Sequence, residues 1–74
     1  MNATDIALAL GKQDRAWLRE AAEHGHFRVH KLNTILDLIQ HRLVSARADE
    51  NPSKGYLCVL TAAGRAVASV LTGK

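Results

Sequence analysis

The chain has very little of what stabilises small proteins covalently or marks a secreted one. Its 74 residues include a single cysteine, Cys58, so no disulfide can form within the chain. Phenylalanine, tryptophan and tyrosine occur once each, and no apolar run approaches the length of a membrane span. The early Asp5 and the late first cation, Lys12, do not fit a signal peptide. We therefore expect one soluble, cytoplasmic domain with a modest core.

The residue groupings that enzymes and metal sites use are also missing. The sequence contains no catalytic pair of carboxylates, no Gly-rich phosphate loop and no triad-like set, and Cys58 lies in an apolar run typical of a buried small side chain. His24, His26 and His30 have spacings that zinc accepts, but structural zinc sites use four ligands, usually with thiolates. The sequence therefore predicts no enzyme, no cofactor and no metal.

Charge is unevenly distributed along the chain. The formal net charge is +3, and residues 26–47 carry four Lys or Arg against one Asp, together with three His. The residues before and after this stretch are close to balanced. A basic stretch on one element is typical of a polyanion-binding protein, and ordinary solvated surface is the alternative interpretation.

Capping and periodicity predict two helices in the first third of the chain. Thr4 is the predicted N-cap of a helix over residues 4–10, which Gly11 ends. A second helix is predicted from residue 13 or 14 to residue 24, with Gly25 just beyond its end. The predicted buried stripe of this second helix is Trp17, Leu18, Ala21 and Ala22.

The third predicted helix, over residues 31–43, has the clearest apolar periodicity. The residues predicted to be buried are Leu32, Ile35, Leu36, Ile39 and Leu43. The residues predicted to face solvent are His30, Asn33, Thr34, Asp37, Leu38 and His41. Between this helix and the second one, Phe27 and Val29 predict an extended connection or a short strand.

A β-hairpin and a last helix follow. Residues 44–47 and 56–60 suit two strands, and the loop between them contains Pro52 and Gly55. Thr61 is the predicted N-cap of a helix over residues 62–72, which Gly73 ends. The stripe predicted to be buried in this helix is Ala63, Val67, Val70 and Leu71. The expected fold is mainly α with a small two-stranded hairpin, in the order helix, helix, helix, hairpin, helix.

This order resembles a winged helix-turn-helix domain over roughly residues 13–72. Residues 14–22 are similar to the supporting helix and residues 31–44 to the recognition helix and its exit. The segment from Tyr56 to Arg65, with its Leu60-Thr61 and Gly64-Arg65 pairs, resembles the second wing strand running into a closing helix. Arg42 departs from the pattern, because such families commonly have Gly before the Leu-Val pair. The resemblance implies a single winged-helix domain over 1–74, with an N-terminal arm at 1–11, a wing at 44–60 and a closing helix at 61–72.

The resemblance also implies binding to double-stranded DNA, with helix 31–43 in the major groove. Lys31, Asn33 and Thr34 are then the candidates for base or phosphate contacts, because Asn suits adenine and Thr suits the thymine methyl group. The complete set of candidate DNA-binding residues is Arg28, His30, Lys31, Asn33, Thr34, His41, Arg47 and Lys54.

Two acidic features argue against strong binding, and one apolar feature suggests a different role. Asp37 is expected in the middle of the recognition face, and Asp49 and Glu50 are expected at the wing tip, where each would repel phosphates. Leu38 is expected to be exposed, which fits a winged-helix module that binds another protein and not DNA. Residues 4–10 or the last helix are the candidate seams for a homodimer.

Overall fold

A computed structural model describes residues 2–73, so Met1 of the expected arm and Lys74 of the expected domain lie outside the described residues. These residues form four α-helices, two short 3₁₀ segments and three strands. The helices are α1 (Ala3–Ala9), α2 (Lys12–His24), α3 (Leu36–Gln40) and α4 (Ala62–Thr72), and the strands are β1 (Phe27–Val29), β2 (Val44–Ala48) and β3 (Tyr56–Leu60). The protein is mainly helical with one small antiparallel sheet.

The first helix begins one residue before the predicted one, and its cap is different. The Asn2 side-chain oxygen accepts a 2.9 Å hydrogen bond from the Asp5 backbone N–H, so Asn2 is the N-cap and Thr4 lies inside the first turn. Leu10 closes α1, while Gly11 is the N-cap residue of α2. The predicted capping by Thr4 and the stop at Gly11 are therefore wrong by one or two positions.

The second helix ends where the sequence predicts. Gly25 adopts the left-handed conformation, with φ of 84°, in which glycine lacks the steric cost of a side chain. Leu18 and Ala21 are buried, but Ala22 is exposed, so the buried stripe is narrower than predicted. Trp17 is half-buried and stacks on Phe27 of β1, with 5.0 Å between the ring centroids.

The connection after α2 is a strand that joins the hairpin. The three strands are antiparallel in the order β1-β3-β2, so β1 pairs with the free side of β3. Phe27 of β1 and Ala46 of β2 both oppose Cys58 of β3, which is completely buried. The sheet is therefore three-stranded and not the predicted two-stranded hairpin, because the alternating Phe27 and Val29 side chains both enter the core.

The predicted third helix is divided into two parts of different geometry. A 3₁₀ segment covers Leu32–Ile35, and α3 begins only after Ile35, whose φ of −123° and ψ of 28° are not helical. Leu38 is completely buried, while Leu36 remains 48% exposed, which is the reverse of the prediction. The 3₁₀ segment has about 3.0 residues per turn, so it shifts the following residues away from the phase of one continuous α-helix.

The turn that follows α3 contains an arginine, Arg42, in a backbone conformation that favours glycine. Arg42 has a φ of 56°, and within residues 2–73 every other residue with a positive φ is a glycine. Its carbonyl oxygen accepts a 2.7 Å hydrogen bond from the Thr61 hydroxyl. Arg42 thus adopts a backbone conformation that favours glycine, although its side chain is that of arginine.

The closing helix has the predicted bounds. The Thr61 hydroxyl accepts a 3.0 Å hydrogen bond from the Gly64 N–H, and Gly73 ends the helix with a φ of 75°. Val67 is buried as predicted, together with Gly64 and Ala68. The other predicted core positions differ, since Ala63 and Val70 are exposed and Leu71 is half-buried. The helix packs against both α1 and α2, and this burial selects its face.

Candidate nucleic-acid interface

All eight candidate DNA-binding residues have exposed side chains, but they lie in three separate places. The first group precedes and enters the 3₁₀ segment and consists of His30, Lys31, Asn33 and Thr34. Lys31 is the residue before the segment, and its carbonyl oxygen accepts a 3.2 Å hydrogen bond from the Thr34 N–H. This hydrogen bond closes the turn and brings the backbones of Lys31 and Thr34 close together.

The second group lies on the outer face of the sheet. Arg28 of β1 and Arg47 of β2 both pair in register with Leu57 of β3. Residues that oppose each other across strands share a face, so the two arginines point outwards on either side of Leu57. The outward direction follows because the next row, which contains Phe27 and Cys58, faces the core.

Arg28 is already bound to a carboxylate of the loop between β2 and β3. Its Nη1 atom donates a 2.9 Å hydrogen bond to Oδ2 of Asp49, and the two side chains are 41% and 23% exposed. The pKa of Asp49 is lowered, first by a hydrogen bond from the Asn51 backbone N–H and then by Arg28, with a smaller contribution from the charge of Lys54. Asp49 is therefore ionised at neutral pH. Arg28, a candidate phosphate ligand, is already paired with this carboxylate.

The loop between β2 and β3 is ordered by hydrogen bonds to its own side chains. Asp49 Oδ1 accepts from the Asn51 N–H at 2.9 Å, and Asn51 Oδ1 accepts from the Ser53 N–H at 3.0 Å. Gly55 has a φ of 71° and approaches the Val29 backbone so closely that a side-chain carbon would overlap the carbonyl oxygen. The loop thus turns back onto β1 and holds Lys54 near Asp49. We call Arg28, Arg47 and Lys54 the sheet-side cations.

His41 lies in a third place, beside two carboxylates. Asp14 in the first turn of α2 is only 8% exposed, and it is the one buried charged residue in the described part of the chain. Burial raises the pKa of Asp14, the charge of Asp37 and a hydrogen bond with its carboxyl raise that pKa further, and His41 opposes these effects. The sequence indicated only that Asp14 favours a helix start, so this contact between α2 and α3 was missed.

A shallow apolar groove opens on another side of the molecule. It has a volume of about 580 Å³ and lies between the end of α2, the end of β3 and α4. Ala21, Val59 and Ala68 contribute apolar walls, and Arg65 is at its border. No sequence pattern predicted this groove, because the residues that line it are distant along the chain.

Other properties of the described residues bear on the classes of function. No helix in residues 2–73 is long and apolar enough to cross a membrane. Within the same residues, no three His, Cys, Asp or Glu side chains are grouped so that they could hold a metal ion. The Nε2 atom of His24 instead lies 3.5 Å from Oε1 of Glu20, one turn earlier in α2.

Comparison with known proteins identifies no relative of the chain. None of the protein-family models, curated proteins or solved structures compared with the chain matches it. The function is therefore argued from the arrangement of the chain's own residues.

Proposed function

We propose that the chain is a small winged-helix protein that binds double-stranded DNA, as a transcriptional or phage-type regulator. The observation that carries the proposal is the position of β1 next to the hairpin. Because β1 runs directly into His30 and Lys31, the pairing of β1 with β3 joins the exposed turn at residues 30–34 to the sheet-side cations. A basic surface with this topology is what a duplex-binding winged helix requires.

In the proposed complex the turn before α3 enters the major groove. Lys31 and Thr34 then lead, with Asn33 beside them, and these are residue types that bind phosphates and base edges. Arg47 and Lys54 contact the sugar-phosphate backbone from the wing.

A titration with mixed-sequence duplex DNA at low salt tests this proposal. We expect Lys31→Glu and Asn33→Ala to weaken binding, and the wild-type affinity to fall steeply as salt increases. Arg19→Glu is the matched control for Lys31→Glu, since it makes the same change of charge on an exposed side chain beside Thr72 of α4.

The outcome that contradicts the proposal is equally specific. If amide NMR signals of residues 30–34 do not move when duplex is added at low salt, DNA binding through this turn is wrong. If Arg19→Glu weakens binding as much as Lys31→Glu does, the interaction reflects net charge and not this surface.

A second candidate function is a winged-helix module for protein contacts, including a homodimer. The observation that favours it is the exposed apolar surface on helices that pack together: Leu8 of α1 is 76% exposed and Val70 of α4 is 42% exposed. The earlier reason for this candidate, an exposed Leu38, is wrong because Leu38 is buried. Sedimentation equilibrium of the wild type against Leu8→Ser tests the homodimer, which should dissociate more readily in the variant.

A further inference from the structure

The carboxylate of Asp49 lies beside two of the sheet-side cations. Asp49 contacts Arg28 through Oδ2, and Lys54 is near enough to stabilise its negative charge. Arg47 belongs to the same row of the outer sheet face as Arg28. The Asp49 carboxylate thus occupies the position beside Arg28 where a phosphate would bind.

We propose that Asp49 is a built-in counter-ion of Arg28, and that a backbone phosphate of duplex DNA displaces it when the wing binds. The inference rests on the proposed function, because it assumes a duplex as the ligand. Asp49 then regulates the interface: it lowers the affinity for DNA and the dependence of that affinity on salt.

The geometry allows the exchange without remodelling the wing. Asp49 uses separate oxygens for its two partners, with Oδ2 on Arg28 and Oδ1 on the Asn51 backbone N–H. When Arg28 turns to a phosphate, the hydrogen bond to Asn51 still holds the carboxylate in the loop. The guanidinium exchanges one oxyanion for another, since carboxylates and phosphates accept the same paired N–H donors.

The magnitude of the effect is small because the ion pair is solvent-accessible. Exposed ion pairs typically contribute little to stability, so the competition by Asp49 is expected to cost about twofold to fivefold in affinity. A freed carboxylate near the duplex also takes up a cation from solution. Removal of its charge should therefore steepen the slope of log affinity against log salt by about one.

Asp49→Asn is the variant that tests the proposal, because the asparagine side-chain oxygen still accepts from the Asn51 N–H. We expect it to bind a mixed-sequence duplex about twofold to fivefold more tightly than the wild type, with the steeper salt slope. Glu50→Gln is the matched control: it removes the same charge from the adjacent exposed residue and should give a smaller gain.

A double-mutant cycle with Arg28→Gln connects the gain to the ion pair. In the Arg28→Gln background, Asp49→Asn should change the affinity no more than Glu50→Gln does. The proposal is overturned if Asp49→Asn gives no gain over Glu50→Gln, or if its gain persists without Arg28.

A titration with inorganic phosphate separates this proposal from the proposed function. The Arg28 side-chain N–H signal should shift at a lower phosphate concentration in Asp49→Asn than in the wild type. If it does so while no variant binds duplex, the counter-ion is retained and DNA binding is wrong. If the signal shifts at the same concentration in both proteins, the counter-ion is wrong, whatever the duplex does.

Discussion

Gly64 lies directly against the backbone carbonyl of Leu43, at a separation that leaves no space for a side-chain carbon. The same carbonyl oxygen accepts a 3.0 Å hydrogen bond from the Thr61 N–H, and the Thr61 hydroxyl donates to the carbonyl of Arg42. The first turn of α4 is therefore fixed to the backbone that connects α3 with β2. This contact holds α4 and the start of β2 in one position.

Gly64→Ala should destabilise the protein by about 1–3 kcal/mol, because the new carbon overlaps backbone atoms that cannot rotate away. The sign of the change in unfolding free energy distinguishes this contact from an ordinary helix position, since replacing glycine by alanine within a helix usually stabilises by about 0.5–1 kcal/mol. Urea denaturation followed by circular dichroism gives the free energy of unfolding. Ala63→Gly, at the exposed neighbouring position, is the control and should lose only about 1 kcal/mol. A stabilised Gly64→Ala protein would contradict the close contact.

Arg42→Gly should stabilise the protein modestly, because the residue has a φ of 56°. The left-handed conformation costs a non-glycine residue about 1–2 kcal/mol, and the greater freedom of glycine in the unfolded chain offsets about 0.5–1 kcal/mol of that gain. Arg42→Val should instead destabilise, since a β-branched side chain tolerates positive φ poorly. Thermal unfolding of the two variants tests the turn, and a lower melting temperature for Arg42→Gly would show that the arginine side chain contributes more than its strain costs.

Leu38→Ala and Leu36→Ala form a matched pair that tests the phase of α3. Leu38 is completely buried, so its truncation should cost about 2–5 kcal/mol. Leu36 is 48% exposed, and its truncation should cost less than about 1 kcal/mol. Equal losses in urea denaturation, or a larger loss for Leu36→Ala, would support one continuous helix over 31–43.

Asp14 should make the stability of the protein fall as the pH rises above its ordinary pKa of 3.8. Its folded-state pKa is raised, mainly by burial and then by Asp37, so the folded protein holds the proton over a pH range in which the unfolded chain has lost it. The full stability is present below 3.8 and is lost as the pH rises through the folded-state value. Asp14→Asn should remove this fall.

The difference in unfolding free energy between Asp14→Asn and the wild type is the quantity to measure across pH. It should increase from pH 3.8 upwards and become constant once Asp14 is ionised in both states. Asp49→Asn is the control: the pKa of Asp49 is lowered, so the same difference for this variant should not increase above pH 3.8. A difference that is independent of pH would contradict the buried contact of Asp14.

The elements whose ends carry local signals were predictable from the sequence. Gly25 ends α2, Thr61 caps α4 and Gly73 ends it at the predicted positions, because capping depends on a few neighbouring residues. The bounds of β3 follow equally from its run of strand-forming residues. Lys31, Asn33 and Thr34 are exposed, as the sequence predicted. Their predicted contacts with DNA remain a prediction.

Tertiary structure decided the features that depend on residues far apart in the chain. The sheet has a third strand because residues 27–29 pair with β3 to form β1. The phase of α3 depends on the preceding 3₁₀ turn, which places Leu38 and not Leu36 in the core. The ion pair of Arg28 with Asp49 joins residues 21 positions apart. Local sequence determined where most helices and strands begin and end, since hydrogen bonds within a few residues set those limits. Packing alone decided which faces are buried and which charges meet, because both require the chain to be folded.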